Sequence, residues 1–254
     1  MSVYKFMSMN ILTDGLYNYG DSRFKCRAEA IHELLRQTKP DVIGVQELTD
    51  AMKPYMYDIL KKYQLAGESR GSMFNDEYSA VLFRNDRFTL LDQGTFWLSS
   101  TPKKKGSKLP LSQFPRIVTY VHLYDKTEQK DFTFFNTHLD HNLKPIRIRQ
   151  AEILIDLIEK YQKGSFTVVT GDFNAPLKDL PADLIQKNHL KDTVDPSIGS
   201  TLRGKIGTFF QKNLPIDHIL VSDHMKLIEL QKLDQKYAGY YPSDHYPLVA
   251  TVSD

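Results

Sequence analysis

The chain has 254 residues, 41% of them hydrophobic and 25% charged, with a formal net charge of +2. That length can bury a sizeable core, and the near-neutral balance argues against an extended electrostatic field for gripping long nucleic acid. One cysteine, Cys26, excludes an internal disulfide and a cysteine-based zinc site, and no apolar run approaches the roughly 18 residues of a membrane helix.

The first residues, MSVYKFMSMN, carry neither a basic n-region nor a long apolar h-region, so the expected location is cytoplasmic. In chain order, YKFMSMNIL reads as a strand. RFKCRAEAIHELLRQT follows as a helix, with Ala30, Ile31, Leu34 and Leu35 at helical spacing, and then DVIGVQEL as a second strand. YSAVLFR, RIVTYVHLY and DFTFFNTHL are further strands. IRIRQAEILIDLIEKYQ is a second helix on Ile148, Ala151, Leu154, Ile155 and Ile158, and FTVVTGDF, IDHILVS and PLVATV complete the strands. Between them, TPKKKGSK places Lys103, Lys104, Lys105 and Lys108 in a loop that reads as solvated, with a phosphate clamp as the alternative.

Two stretches echo each other. FMSMNIL, helix, DVIGVQE is matched by FFNTHLD, helix, FTVVTGD, with 37 residues from Asn10 to Glu47 and 34 from His138 to Asp172. Two such halves could pack sheet against sheet with helices outside. No linker divides the chain, so one domain over residues 1–254 is expected.

The segment FTVVTGDFNAP poses the functional question. On an extended chain Asp172 and Asn174 share one face while Phe173 points away, which would aim two oxygen-bearing groups at one spot. Gly171, Asp172, Asn174 and Pro176 read equally well as a turn. Other polar strand ends bear on the choice: Asp217 opens IDHILVS, Asp244 and His245 precede PLVATV, Glu77 precedes YSAVLF, and His138, Asp140 and His141 close FNTHLDH. Acids, amides and histidines at strand termini suit a hard cation with oxygen ligands, such as Mg²⁺, and proton transfer by histidine.

The motifs MN (9–10), QE (46–47), NTHL (136–139), GDFN (171–174) and SDH (243–245) stand in the order found in the endonuclease/exonuclease/phosphatase superfamily, the group of deoxyribonuclease I, which the whole chain resembles. The resemblance implies a four-layer α/β sandwich, two packed mixed sheets flanked by helices. It also implies phosphoester hydrolysis dependent on Mg²⁺, with Mn²⁺ possible. Glu47 would be the principal metal ligand, helped by Asn10 and Asp244. Asp172 and Asn174 would orient or activate the attacking water and hold the phosphate. His245 would pair with Asp217, and His138 with Glu77, a pairing that favours protonated His138; Tyr78 is the alternative phosphate contact beside Glu77. The implied partner is a phosphoester substrate, a small molecule or short nucleic acid, with no membrane anchor and no protein partner evident.

Arg116 and Arg147 could reach a phosphate or form ordinary surface ion pairs. Trp97 could line a cleft or cap the core. Tyr237, Tyr240 and Tyr241 could stack on a base or simply pack. Asp140 and His141 could extend the site or form a polar loop, while His32, His122, His189, His218 and His224 read as structural. Two other functions remain to be weighed. One is a dinuclear zinc hydrolase of the metallo-β-lactamase type, because NTHLDH resembles HxHxDH with Asn136 in place of the first histidine. The other is a non-catalytic binding module on the same scaffold.

Overall fold

The computed structural model describes residues 2–15, 18–74, 76–204 and 213–254. It contains two six-stranded mixed sheets packed face to face and flanked by helices, as expected. The strands are β1 (Val3–Asn10), β2 (Val42–Leu48), β3 (Tyr63–Ala66), β4 (Tyr78–Arg84), β5 (Phe88–Trp97), β6 (Ile117–Asp125), β7 (Lys130–His138), β8 (Thr167–Asp172), β9 (Leu190–Asp192), β10 (Asp217–Ser222), β11 (Lys226–Lys232) and β12 (Leu248–Ser253). The long helices are α1 (Phe24–Thr38) and, after the short α2 (Tyr57–Leu60), α3 (Lys144–Tyr161); a further short helix, α4, covers Asp183–Gln186. One sheet runs β11-β12-β1-β2-β4-β3 and the other β5-β6-β7-β8-β10-β9.

The sequence echo is a structural one. β1 and β2 are parallel neighbours joined by α1, and β7 and β8 are parallel neighbours joined by α3; each pair is flanked by antiparallel strands. The helices cover the outer faces. Ala30, Ile31, Leu34 and Leu35 of α1 pack with Met7, Met9, Ile43 and Val45, while Ala151, Leu154, Ile155 and Ile158 of α3 pack with Phe135, Val169 and Leu220. No helix among the described residues is long and apolar enough to cross a membrane.

The two-residue period of a strand explains where the polar groups gather. On β1, Met7 and Met9 face α1, so Tyr4, Phe6, Ser8 and Asn10 face the other sheet. The same alternation sets Phe132, Phe134, Asn136 and His138 of β7 and Val168, Thr170 and Asp172 of β8 on the inter-sheet face. That face changes character along the strands. Its start is aromatic, with Tyr4, Phe6, Phe132 and Phe166 in mutual ring contact. Its middle is a buried polar seam: Gln46 Nε2 donates to Asn136 Oδ1 (2.6 Å), and Asn136 Nδ2 donates to the carbonyls of Val45 (3.0 Å) and Ala80 (2.8 Å) across the sheets. Its end carries Asn10, His138, Asp172 and Asp217.

Candidate active site

FTVVTGDFNAP proves to be a strand and a turn in succession. β8 ends at Asp172, Phe173 is buried against the α3 layer, and Asn174 adopts φ 50°. Asp172 Oδ1 accepts the Asn174 backbone N–H (2.9 Å), and the Asn174 amide donates to the Leu139 carbonyl (3.0 Å). The turn leaves Asp172 Oδ2 facing inward.

Three side chains converge on that oxygen. Asn10 Nδ2 donates to it at 3.1 Å, His138 Nε2 lies 3.5 Å away and His245 Nε2 3.7 Å away. Burial pushes the Asp172 carboxyl up, and the nearby Asp217 adds to this against the pull of His245, leaving it at about 7. His245 Nδ1 is 2.8 Å from Asp217 Oδ2, so the carboxylate holds the proton on Nδ1 and turns Nε2 toward Asp172.

The histidines are driven in opposite directions. Burial lowers both, but Asp217 and Asp172 reverse this for His245 and hold it well above the usual value. For His138, burial is reinforced by Arg116 and Arg70, which keep it well below and neutral at pH 7.

Glu47 stands beside this group at a β-bulge, with φ 66°, a left-handed conformation costly for a residue that is not glycine. The bulge turns its carboxylate inward, where Oε1 accepts from Asn10 Nδ2 (2.9 Å) and Oε2 from the Thr13 backbone N–H (2.9 Å). A single amide thus bridges two carboxylates, Glu47 and Asp172. This crowding of oxygen donors suits a hard cation. Ligand atoms of Asp172, Asp217 and His245 also lie within 4.8 Å of one another and could hold a metal ion. Glu47 is a further candidate oxygen donor beside this set, whereas Asn10 Oδ1 accepts the Leu12 backbone N–H (3.0 Å), so Asn10 would have to turn its amide to offer an oxygen to a cation. Asp244 is half-exposed and accepts from Ser243 Oγ (3.2 Å).

Sequence reasoning missed Arg27 and Arg70. Buried Arg27, on α1, donates to the carbonyls of Ile11, Leu12 (2.7 Å) and Pro242 (3.0 Å), tying the segment after Asn10 to the one before Asp244 and His245. Arg70, in the β3–β4 loop, corrects the expected His138–Glu77 pair: Glu77 Oε2 binds Arg70 Nη1 at 2.7 Å. Glu77 sits too deep to behave as an ordinary carboxylate. Burial and Glu47 push it up to about 7 in spite of Arg70 and Arg116.

Other expectations sort as follows. The Tyr78 hydroxyl donates to Asp50 (2.8 Å) beside Lys53, while Tyr78 also lines a crevice with Arg70, Glu77, Arg116 and His138. Trp97 is buried, its indole N–H donating to the Arg70 carbonyl (2.7 Å), so it caps the core and buttresses the Arg70 loop. Arg116 is buried with Nη2 donating to His141 Nδ1 (3.1 Å). Arg147 Nη1 donates to the Asp140 carbonyl (2.7 Å). Asp140 accepts from Ser112 and from the backbone of Asn142 and Leu143, which makes it a loop staple before α3. Tyr237 packs in the core with Tyr240 against it, and Tyr241 lies under Arg203. The four loop lysines are exposed, the solvated reading. Asn136, fully committed to the seam, has no freedom to act as a zinc ligand, and the metallo-β-lactamase reading falls with it.

Comparison with known proteins agrees with this architecture. The sequence profile of the Endonuclease/Exonuclease/phosphatase family matches residues 7–245, and the chain belongs to that family, whose members hydrolyse phosphoester bonds. It is 25% identical to an uncharacterized protein of Acanthamoeba polyphaga mimivirus, over 96% of this chain and 98% of that one. Two solved structures from Bacteroides thetaiotaomicron superpose with a TM-score of 0.86. One is described as an endonuclease/exonuclease/phosphatase family protein (26% identical, covering 100% of this chain and 98% of that one). The other is a mannosyl-6-phosphatase (25% identical, covering 99% and 100%).

Proposed function

We propose that the protein is a Mg²⁺-dependent phosphoester hydrolase, with Mn²⁺ able to substitute, which directs water onto phosphorus without a covalent enzyme intermediate. The observation that carries the reading is the convergence of Asn10, His138 and His245 on Asp172 Oδ2 beside Glu47. Glu47 and Asn10, with Asp172 or Asp244, are the residues that would hold the cation. When bound, a divalent cation neutralises phosphoryl oxygens that would otherwise repel a nucleophile.

The chain's own residues handle the proton. Asp217 fixes the His245 ring, and His245 and Asp172 face each other at 3.7 Å, so a proton taken from water by either is held within one pair. Neutral His138 contributes a hydrogen bond and no charge. The Asn174 turn keeps Asp172 Oδ1 occupied, which leaves Oδ2 as the working oxygen.

The mannosyl-6-phosphatase relative and the net charge of +2 favour a small phosphate ester over a long polymer. The test is hydrolysis of nitrophenyl phosphate, bis-nitrophenyl phosphate, plasmid DNA and a short RNA with Mg²⁺, with EDTA, and with His245→Ala. Chelator-sensitive cleavage lost in the variant is expected. Cleavage unaffected by either would sink the reading.

A further inference from the structure

Arg70 and Arg116 are only 3% and 4% exposed, and with Glu77 and His138 they help line a crevice of about 10 Å³, room for about one water-sized atom. Among the described residues Arg70 has one ionic partner, Glu77, and its guanidinium lies 4.4 Å over the Phe114 ring. Arg116 has His141. The remaining donors do not balance. Arg70 Nε, Arg70 Nη2 and Arg116 Nε are buried with no partner among the described residues. Buried charged donors without acceptors are costly, and here two guanidinium groups stand against one carboxylate. Asp76, the next acid along, is turned away and accepts the backbone N–H groups of Gly71 (2.7 Å) and Ser72 (3.1 Å). The crevice therefore presents surplus positive charge and unused N–H groups. His138, which also lines it, reaches to 3.5 Å from Asp172 Oδ2.

We infer that Arg70 and Arg116 form a receptor for one non-bridging oxygen of a terminal phosphate, which makes phosphate monoesters the preferred substrates. This rests on the phosphoesterase reading and adds the charge class of the substrate. A diester is a monoanion with two non-bridging oxygens; a monoester near neutral pH approaches a dianion with three. The third oxygen, absent from a diester, is the one the arginine crevice takes. Planar guanidinium groups suit it, because their fixed N–H fork can meet one oxygen from two sides.

The experiment uses the Mg²⁺-loaded full chain, Arg70→Lys and Arg116→Gln. It measures kcat/KM for nitrophenyl phosphate and bis-nitrophenyl phosphate, and inorganic phosphate binding by calorimetry. The expected result is a monoester preference in the wild type, a fall in the monoester-to-diester ratio of at least about 10-fold in each variant, and phosphate binding weakened by a similar factor. A ratio unchanged, or both esters falling together, overturns the inference. Arg70→Lys keeps charge and length, so it decides the matter should Arg116→Gln fail to fold. A wild type that hydrolyses neither ester would defeat the phosphoesterase reading alone. The phosphate titration then rules on the receptor: binding lost in the variants upholds it, and binding retained rejects it.

Discussion

His245 and His138 flank the same carboxylate oxygen at 3.7 and 3.5 Å, yet their surroundings are opposite. The His245 corner holds Asp217 and, next in the chain, Asp244; the His138 corner holds Arg116 and Arg70. The same ring is therefore pushed toward the charged form on one side of Asp172 and toward the neutral form on the other. The difference teaches that motif identity does not fix role: a histidine's task here is set by whether acids or arginines surround it.

The comparison breaks first at Asp172. If His245 and Asp172 hold one proton between them, His245→Ala and Asp172→Asn should each lower kcat at least about 10²-fold, and the double variant should lose little more than the worse single. Steady-state kinetics on the three variants, with circular dichroism to verify folding, checks this. Multiplicative losses would show two independent groups and dissolve the pair. On the arginine side the expected loss is smaller. A neutral His138 supplies a hydrogen bond, so His138→Gln should cost about 10-fold in kcat, the equivalent of one such bond. A loss equal to that of His245→Ala would mean the corners are not different in kind.

Both corners stand on the polar seam, and Gly44 tests it. A β-carbon there would lie 2.0 Å from Thr170 Oγ1 and 2.5 Å from Asn136 Oδ1, so the sheets approach too closely for any side chain. Gly44→Ala should destabilise by about 1–3 kcal/mol, read from denaturant unfolding. An unchanged midpoint would mean that the seam gives way easily and does not fix the distance between the strand ends.

How much of this was legible in the sequence follows the same physics. Eight strands were readable because both their faces are largely buried, as in Val42–Leu48 or Thr167–Asp172. The four that were not, β3, β5, β9 and β11, are the four sheet edges. Edge strands are short, polar or bulged, as at Leu90/Asp92 in β5 and Leu227/Glu229 in β11, and they carry little periodic signal. In the site, Asn10, His138, Asp172, Asp217 and His245 were legible because strand ends and ordered motifs mark them. Arg70 was not. It lies in an aperiodic loop, and it is buried by Trp97 and Phe114, which come far later in the chain. The Glu77 error has a related origin: the family resemblance implied a pairing with His138, while the β3–β4 loop folds Arg70 back onto Glu77.

A third buried histidine sharpens the contrast away from the chemistry. His218 neighbours Asp217 in sequence but faces the α3 layer, edge-on to Phe173 at 5.5 Å. Its Nδ1 lies 2.7 Å from Asp192 Oδ2 and its Nε2 3.2 Å from the Ala175 carbonyl, so both ring nitrogens face acceptors and both are best served by a proton. Burial alone would lower its pKa, but Asp192 outweighs that and the net shift is upward. The sign follows: a folded pKa above the unfolded value gives stability that is complete below about 6.5 and is lost as pH rises through the folded value. The wild type should therefore exceed Asp192→Asn in Tm by more at pH 6 than at pH 9, the gap closing by roughly 2–4 °C. A gap independent of pH would mean that His218 is neutral throughout. The acid-beside-histidine rule drawn from His245 would then fail at a buried histidine that does not face the Asp172 oxygen.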